Sequence, residues 1–178
     1  MPFYNSIDRK ILKESLMAEP FVRRTISLYR YFILDNPLEF RDKLYQEWDD
    51  LKCFGRIYIA REGINAQMSV PEYNLQAFLQ SLKKYPIFDN IPIKYAIEDN
   101  GKSFYKLSMK VKEKLVADGL NDDAFDVTNV GSHLEALEFH ELVQSGEHIV
   151  VNVRNHYKSE IGHFKGAICP EADTFSWN

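Results

Sequence analysis

The feature that most narrows the fold is a change of hydrophobic period that repeats along residues 25–109. Thr25-Ile26-Ser27-Leu28-Tyr29-Arg30-Tyr31-Phe32-Ile33-Leu34 is rich in β-branched and aromatic residues. Ile26, Leu28, Phe32 and Leu34 fall on one face, interrupted only by Arg30, which is the pattern of a strand. Asn36-Pro37-Leu38-Glu39 then starts a helix. Asn36 caps free N–H groups, Pro37 suits the first helical position and Glu39 takes the capping-box place. Leu38, Leu44, Tyr45, Trp48 and Leu51 supply its apolar stripe. Two more strand patterns, 55–60 and 64–69, flank Arg61-Glu62-Gly63, where the glycine provides the φ freedom of a turn. A second helix is predicted over 71–84, with Ser69 and Glu72 as its capping box and Leu75, Phe78, Leu79 and Leu82 on its buried stripe. Residues 92–97 and 104–109 read as further strands joined through Asp99-Asn100-Gly101. Alternation of this kind within about 100 residues predicts an α+β, ferredoxin-like split βαβ sandwich, with helices on one face of a small antiparallel sheet. Ahead of it, residues 1–20 form an amino-terminal arm, either ordered or carrying a short helix around 11–17.

Twelve Phe, ten Tyr and two Trp among 178 residues give enough bulky apolar surface for a core, and 27% charged residues exclude a wholly disordered chain. No apolar run approaches the roughly 20 residues of a membrane span, and Met1-Pro2-Phe3-Tyr4-Asn5-Ser6 lacks a secretory pattern. Cys53 and Cys169 form neither a disulfide framework nor a CxxC knuckle. These features predict a soluble, reduced, cytoplasmic chain. Its net charge of −4 is unevenly spread. Residues 1–117 carry 19 Lys/Arg against 15 Asp/Glu, whereas 118–178 carry 3 against 11. The division argues for two units and places any polyanion contact on the first.

Asp118-Gly119-Leu120-Asn121-Asp122-Asp123 marks the boundary, in a linker spanning 118–130 after a first domain at 21–117. Beyond it, 132–144 reads as a helix ended by Gly146, and His148-Ile149-Val150-Val151-Asn152-Val153 as a continuous apolar strand suited to a parallel sheet. One such strand cannot by itself bury both sheet faces, so the unit at 131–178 reads as partial.

Lys102, Lys106, Lys110, Lys112 and Lys114 lie within thirteen residues, opposed by Glu113 alone, with Phe104 and Tyr105 beside them. They share one parity, so on a strand they line one face. Positive charge next to aromatic rings suits RNA, because phosphates are neutralised while unstacked bases lie on the rings. The same lysines equally suit the solvated outer face of a sheet whose Tyr105, Leu107 and Met109 pack inward. Arg61 and Asn65, around the turn glycine, either face a nucleotide or hold a hairpin through side-chain hydrogen bonds. His133, His140, His148 and His156 show no ligand spacing with Cys or Glu, so no metal site is assigned.

Asn152-Val153-Arg154, followed by Gly162-His163-Phe164-Lys165-Gly166-Ala167, resembles the first signature of the rhodanese fold. There Arg154 anchors neighbouring loops and His163 ties a loop to the strand. The resemblance makes Asn152, Arg154, Gly162 and His163 scaffold rather than catalytic residues. Asn152 stands where the fold usually carries aspartate. The chemistry of that fold belongs to a later cysteine loop, and Cys169-Pro170-Glu171-Ala172 lacks its glycine-rich cradle.

Across the whole chain, ordered strings resemble the rhodanese-like tRNA uridine hydroxylases. They are Arg61-Glu62-Gly63-Ile64-Asn65-Ala66-Gln67, Asp99-Asn100-Gly101-Lys102-Ser103-Phe104, Met109-Lys110-Val111-Lys112, Val116-Ala117-Asp118-Gly119, Asn129-Val130-Gly131, Asn155-His156-Tyr157, Gly162-His163-Phe164 and Ala172-Asp173-Thr174-Phe175. The resemblance implies a ferredoxin-like domain followed by a rhodanese domain. It further implies oxygen-dependent 5-hydroxylation of the wobble uridine, position 34, with molecular oxygen as co-substrate and no other cofactor specified. The partner implied is tRNA rather than DNA or a membrane, and candidate contacts are Arg61, Asn65, Lys102, Lys106, Lys110, Lys112 and Lys114. Members of that family continue past residue 178 into the cysteine loop, so the chain reads as a truncated product or fragment with no catalytic residue of its own. A non-catalytic RNA- or protein-binding module is one alternative. Rhodanese-type sulfur transfer is another, and it requires a persulfide-forming cysteine.

Overall fold

The computed structural model describes residues 7–116, 126 and 128–171, and the chain divides into two units, Met1–Leu115 and Val116–Asn178. The acidic boundary at 118–123, the string at 172–175 and the closing Ser176-Trp177-Asn178 lie outside the described residues. No described helix is long and apolar enough to cross a membrane.

The first unit runs α1 (Arg9–Ala18), β1 (Arg23–Tyr31), α2 (Pro37–Asp50), β2 (Phe54–Ala60), β3 (Gly63–Pro71), α3 (Leu75–Leu82), β4 (Ile93–Tyr95) and β5 (Leu107–Val111), with 3₁₀ turns at Glu72–Asn74 and Pro86–Phe88. The five strands lie in the order β4-β1-β3-β2-β5. The first four are antiparallel neighbours and make the split βαβ arrangement. β5 departs from the expected antiparallel sheet because it runs parallel to β2. After β4 the chain crosses the end of the sheet before it pairs. The Ala96 N–H donates to Thr25 O at 2.9 Å, and the Gly55 N–H to Lys106 O at 2.9 Å. It therefore enters the far edge in the direction of β2. The crossing also displaces the last strand from 104–109 to 107–111, leaving Lys102 and Lys106 outside it.

α2 begins as its cap residues dictate. The Asn36 side chain accepts from the Glu39 N–H at 3.2 Å, and Pro37 is the first helical residue. Phe40, Leu44 and Trp48 of α2 and Phe78 and Leu82 of α3 share one buried cluster with Ile26, Leu28, Ile57, Ile59, Ile64, Ala66 and Met68. Both helices therefore cover the same sheet face. Leu38, expected on the stripe, is 58% exposed. The expected Ser69–Glu72 capping box is not formed. β3 runs on to Pro71 and buries Ser69, while the Glu72 carboxylate pairs with Arg24 at 2.6 Å. The β2–β3 turn does depend on Gly63, whose φ is +146° and where a Cβ would stand 2.2 Å from Arg30 O.

At the sheet end where the chain crosses, Arg23 is 2% exposed. Its Nε and Nη2 donate to the two Glu19 carboxylate oxygens at 2.6 and 2.7 Å. Nη1 reaches Lys52 O at 2.9 Å and Ser69 O at 3.4 Å. The guanidinium stacks 3.9 Å from the Phe54 ring centroid. Lys52 adopts φ 56°, a left-handed backbone unusual outside glycine, where its carbonyl meets the arginine. Beside it Cys53 is fully buried, and burial pushes its thiol up to about 12 against the opposing pull of Arg23.

In the second unit, α4 (Ala136–Ser145) ends at Gly146 in the left-handed conformation, and α5 (His156–Ile161) follows. The continuous strand expected at 148–153 is reduced to one parallel bridge, Val151 with Ile168. Ile149, Val151 and Val153 are 79%, 49% and 69% exposed. Among the described residues a single bridging segment offers hydrogen-bond partners there, too few to build a buried ladder.

Arg23→Met should destabilise the chain by about 3 kcal/mol in urea unfolding, since it strands Glu19 and two carbonyls without their donor. Cys53 predicts a pH signature. In the unfolded chain the thiol ionises near 9, in the folded chain near 12. Its contribution is complete below pH 9 and is lost as pH rises towards 12. Cys53→Ala should make the alkaline loss of stability shallower when unfolding is followed across that window.

Candidate nucleic-acid interface

Because strand residues alternate in direction, the face of the sheet opposite α2 and α3 is set by the parity of Ser27, Tyr29 and Tyr31. Registers align this face in rows. One row runs Lys94, Ser27, Gln67, Arg56 and Ser108; the next runs Tyr29, Asn65, Tyr58 and Lys110. Lys112 follows β5, with its ammonium 5.7 Å from the Tyr58 ring centroid. Tyr29 and Tyr31 meet edge to face with centroids 5.3 Å apart. Tyr29 is 43% exposed. Arg56, Gln67, Lys94, Lys110 and Lys112 are exposed, and Tyr31, Tyr58 and Asn65 are half-buried. Among the described residues, Arg56, Lys94 and Lys110 make no ion pair and the Asn65 side chain no hydrogen bond.

Tyr29 has its phenol pKa raised, by burial first, then by the Tyr31 hydroxyl and by the Glu62 carboxylate. It stays neutral and remains a donor across ordinary pH. Glu62 itself accepts from the Leu115 N–H at 2.6 Å, which fixes it at the hairpin rim. The face thus combines flat aromatic surface, one amide, and cations on three strands with Lys112 just beyond the last. That is the composition that neutralises phosphates and stacks bases.

Of the residues expected from sequence, Asn65, Lys110 and Lys112 come together here. Arg61 lies exposed in the adjoining turn, and its carbonyl accepts from the Leu34 N–H at 2.8 Å. Lys102 and Lys106 fall at the other end of the sheet. Lys102 Nζ donates to Met17 O at 3.2 Å, and the Lys106 carbonyl holds Gly55. Lys114 is half-buried past the end of β5. The shared parity of the five lysines therefore does not produce one line, because only Lys110 stands on the strand. Arg56, Lys94 and the three tyrosines were missed. Their signal was present as the non-apolar parity of β1 and β2, where tyrosine recurs opposite isoleucine and leucine.

In the second unit Asn152 Oδ1 accepts from Arg154 Nε at 3.0 Å, and Arg154 Nη2 donates to the Gly162 carbonyl. His163 Nδ1 lies 2.9 Å from Ser159 O. Arg154 thus spans from residue 152 to the chain just after α5. Cys169 Sγ faces the Asn152 amide at 3.8 Å and the Ala167 carbonyl at 3.7 Å. Among the described residues no backbone N–H is directed at it. An apolar hollow of about 820 Å³ in this unit is lined by Phe139, Leu142, Val151, Val153 and Phe164, and Cys169 does not line it.

Residues 23–115 match the family model described as the UPF0176 acylphosphatase like domain. Proteins named tRNA uridine(34) hydroxylase are similar along nearly the whole chain. The one from Leptospira interrogans is 56% identical over 174 residues, covering 98% of this chain and 47% of the relative. Those from Hamiltonella defensa and Photorhabdus laumondii are 48% and 46% identical, each over 97% of this chain and 49% of the relative. The chain spans about half the length of these curated relatives. The domain match takes in every strand of the sheet and more than half of the 178 residues, and on it the chain belongs to the UPF0176 family.

Proposed function

We propose that the chain serves tRNA modification, holding tRNA for oxygen-dependent 5-hydroxylation of the uridine at position 34. The observation that carries this reading is the uncovered sheet face, where Arg56, Lys94, Lys110 and Lys112 surround Tyr29, Tyr58 and Asn65 on the side away from the helical core. Cations without carboxylate partners attract a polyanion by releasing its counterions, and the names of the relatives supply which polyanion. On this reading residues 21–117 are the ferredoxin-like RNA-holding domain, 118–130 a linker and 131–178 the first part of a rhodanese domain, at work in the cytoplasm. Asn152, Arg154, Gly162 and His163 are then scaffold, consistent with the way Arg154 ties the region of residue 152 to Gly162.

The cysteines of this chain contribute no nucleophile to it. Cys53 is sealed in the core with its thiol raised to about 12, and among the described residues no backbone N–H reaches Cys169 to stabilise a thiolate. The basic face acts through binding alone.

Titration of tRNA into the 178-residue chain at low and raised salt tests the RNA assignment. Affinity should fall as salt rises. The double variant Lys110→Gln, Lys112→Gln should bind more weakly, with its log–log salt slope reduced by about two. Affinity indifferent to both changes removes the assignment. For the reaction, deletion of the gene in its native organism should abolish 5-hydroxyuridine at position 34 in nucleoside analysis of purified tRNA. Unchanged 5-hydroxyuridine overturns it.

A further inference from the structure

We infer that the uncovered sheet face takes single-stranded RNA, two bases lying on Tyr29 and Tyr58 with the Asn65 amide between them. The inference rests on the RNA-binding reading above and specifies which form of RNA the face accepts. Asn65 pairs with Tyr29 on one side and with Tyr58 on the other, so the three side chains form one row across β1, β3 and β2. Neighbouring strands lie about 4.8 Å apart, which puts the two tyrosine positions about 10 Å from each other. One base does not span both rings, so each ring takes its own. The row continues to Lys110, with Lys112 above Tyr58 and Arg56 in the row beside it. Phosphates of a strand crossing the rings meet these cations in turn.

Three features favour an unpaired strand over a helix. Bases in a duplex are already stacked on one another and offer no free face to a ring; duplex RNA is held through its phosphates and 2′-hydroxyls. Here the centre of the patch is aromatic and amide, and charge occupies its β4 and β5 margins together with Arg56 of β2. The Asn65 amide is half-buried and has no hydrogen bond to another described residue. It offers a donor and an acceptor together, the pair that the exposed edge of an unpaired base presents in return. The Tyr29 hydroxyl stays neutral and is engaged with Tyr31, whose ring it meets edge to face at the rim of the same site.

The test uses the full 178-residue chain and three probes: a fluorescent, unstructured, uridine-rich RNA of about eight nucleotides, a blunt duplex RNA matched to it in charge, and intact tRNA. The single strand should displace labelled tRNA, and the duplex should compete on the order of tenfold less well. Tyr58→Ala and Tyr29→Ala should each lower single-strand affinity on the order of tenfold or more while leaving duplex affinity unchanged. Tyr58→Phe should restore it, because the ring alone does the stacking. The comparison of probes on the unaltered chain needs no variant to fold. A duplex that competes as well as the single strand overturns the inference, as does a folded Tyr58→Ala chain that binds the oligonucleotide normally. If tRNA still binds in a salt-dependent way in those cases, the RNA-binding reading stands and only the single-strand assignment falls. If tRNA fails to bind at all, both fall.

Discussion

A guanidinium at 2% exposure is tolerable only when its charge is paired and its donors are largely satisfied, and at Arg23 one carboxylate and four hydrogen bonds achieve this. The partners come from distant parts of the first unit: Glu19 just after α1, Lys52 between α2 and β2, Ser69 in β3 and Phe54 at the start of β2. Closing this set fixes how α1 meets the sheet and holds the Lys52 backbone in a conformation it would not otherwise choose. The chain crossing from β4 to β5 passes against the backbone of the same residue. A Cβ on Gly101 would stand 2.3 Å from Arg23 O, so only glycine permits the crossing to lie so close. The parallel entry of β5 follows from that path, and with it the position of Lys110 beside Tyr58.

The division of labour between the two sheet faces follows from packing. One face takes α2, α3 and an almost wholly apolar cluster. The other keeps one covered end, around Arg23, and one uncovered end, around Tyr29 and Tyr58. Because α2 and α3 both pack on one face, the other carries side chains that tolerate water. Tyrosine, arginine and lysine meet that requirement and also suit a nucleic acid, which is why the site needs no cavity.

Much of the first unit was legible because its signals are local. The Asn36-Pro37 start of α2, the alternation in β1 and the glycine of the β2–β3 turn each act over a few residues, and each appears, although β1 runs Arg23–Tyr31 and stops short of Phe32 and Leu34. Non-local choices were not legible. Nothing near Leu107 in the sequence says that β5 will pair with β2 rather than with β4, so its direction and its first residue were missed. Ser69 and Glu72 had the right spacing for a cap, yet β3 pairs with β1 through Ser69 as far as Pro71, and Glu72 begins the 3₁₀ turn beyond it. The site was half legible. Lys110, Lys112 and Asn65 stood out by charge or motif, while Tyr29, Tyr58 and Arg56 looked like ordinary strand residues until three strands were laid side by side. In the second unit, the apolar run at 148–153 reads as a strand from composition, but a strand exists only where another segment supplies the ladder.

The ammonium of Lys112 rests over the Tyr58 ring when nothing else does. Such a contact is worth about 0.5–1 kcal/mol at an exposed position, and an incoming nucleobase must displace it. On the proposed reading the lysine swings from the ring to the phosphates of the strand, so that its charge still serves binding while the ring is freed for a base.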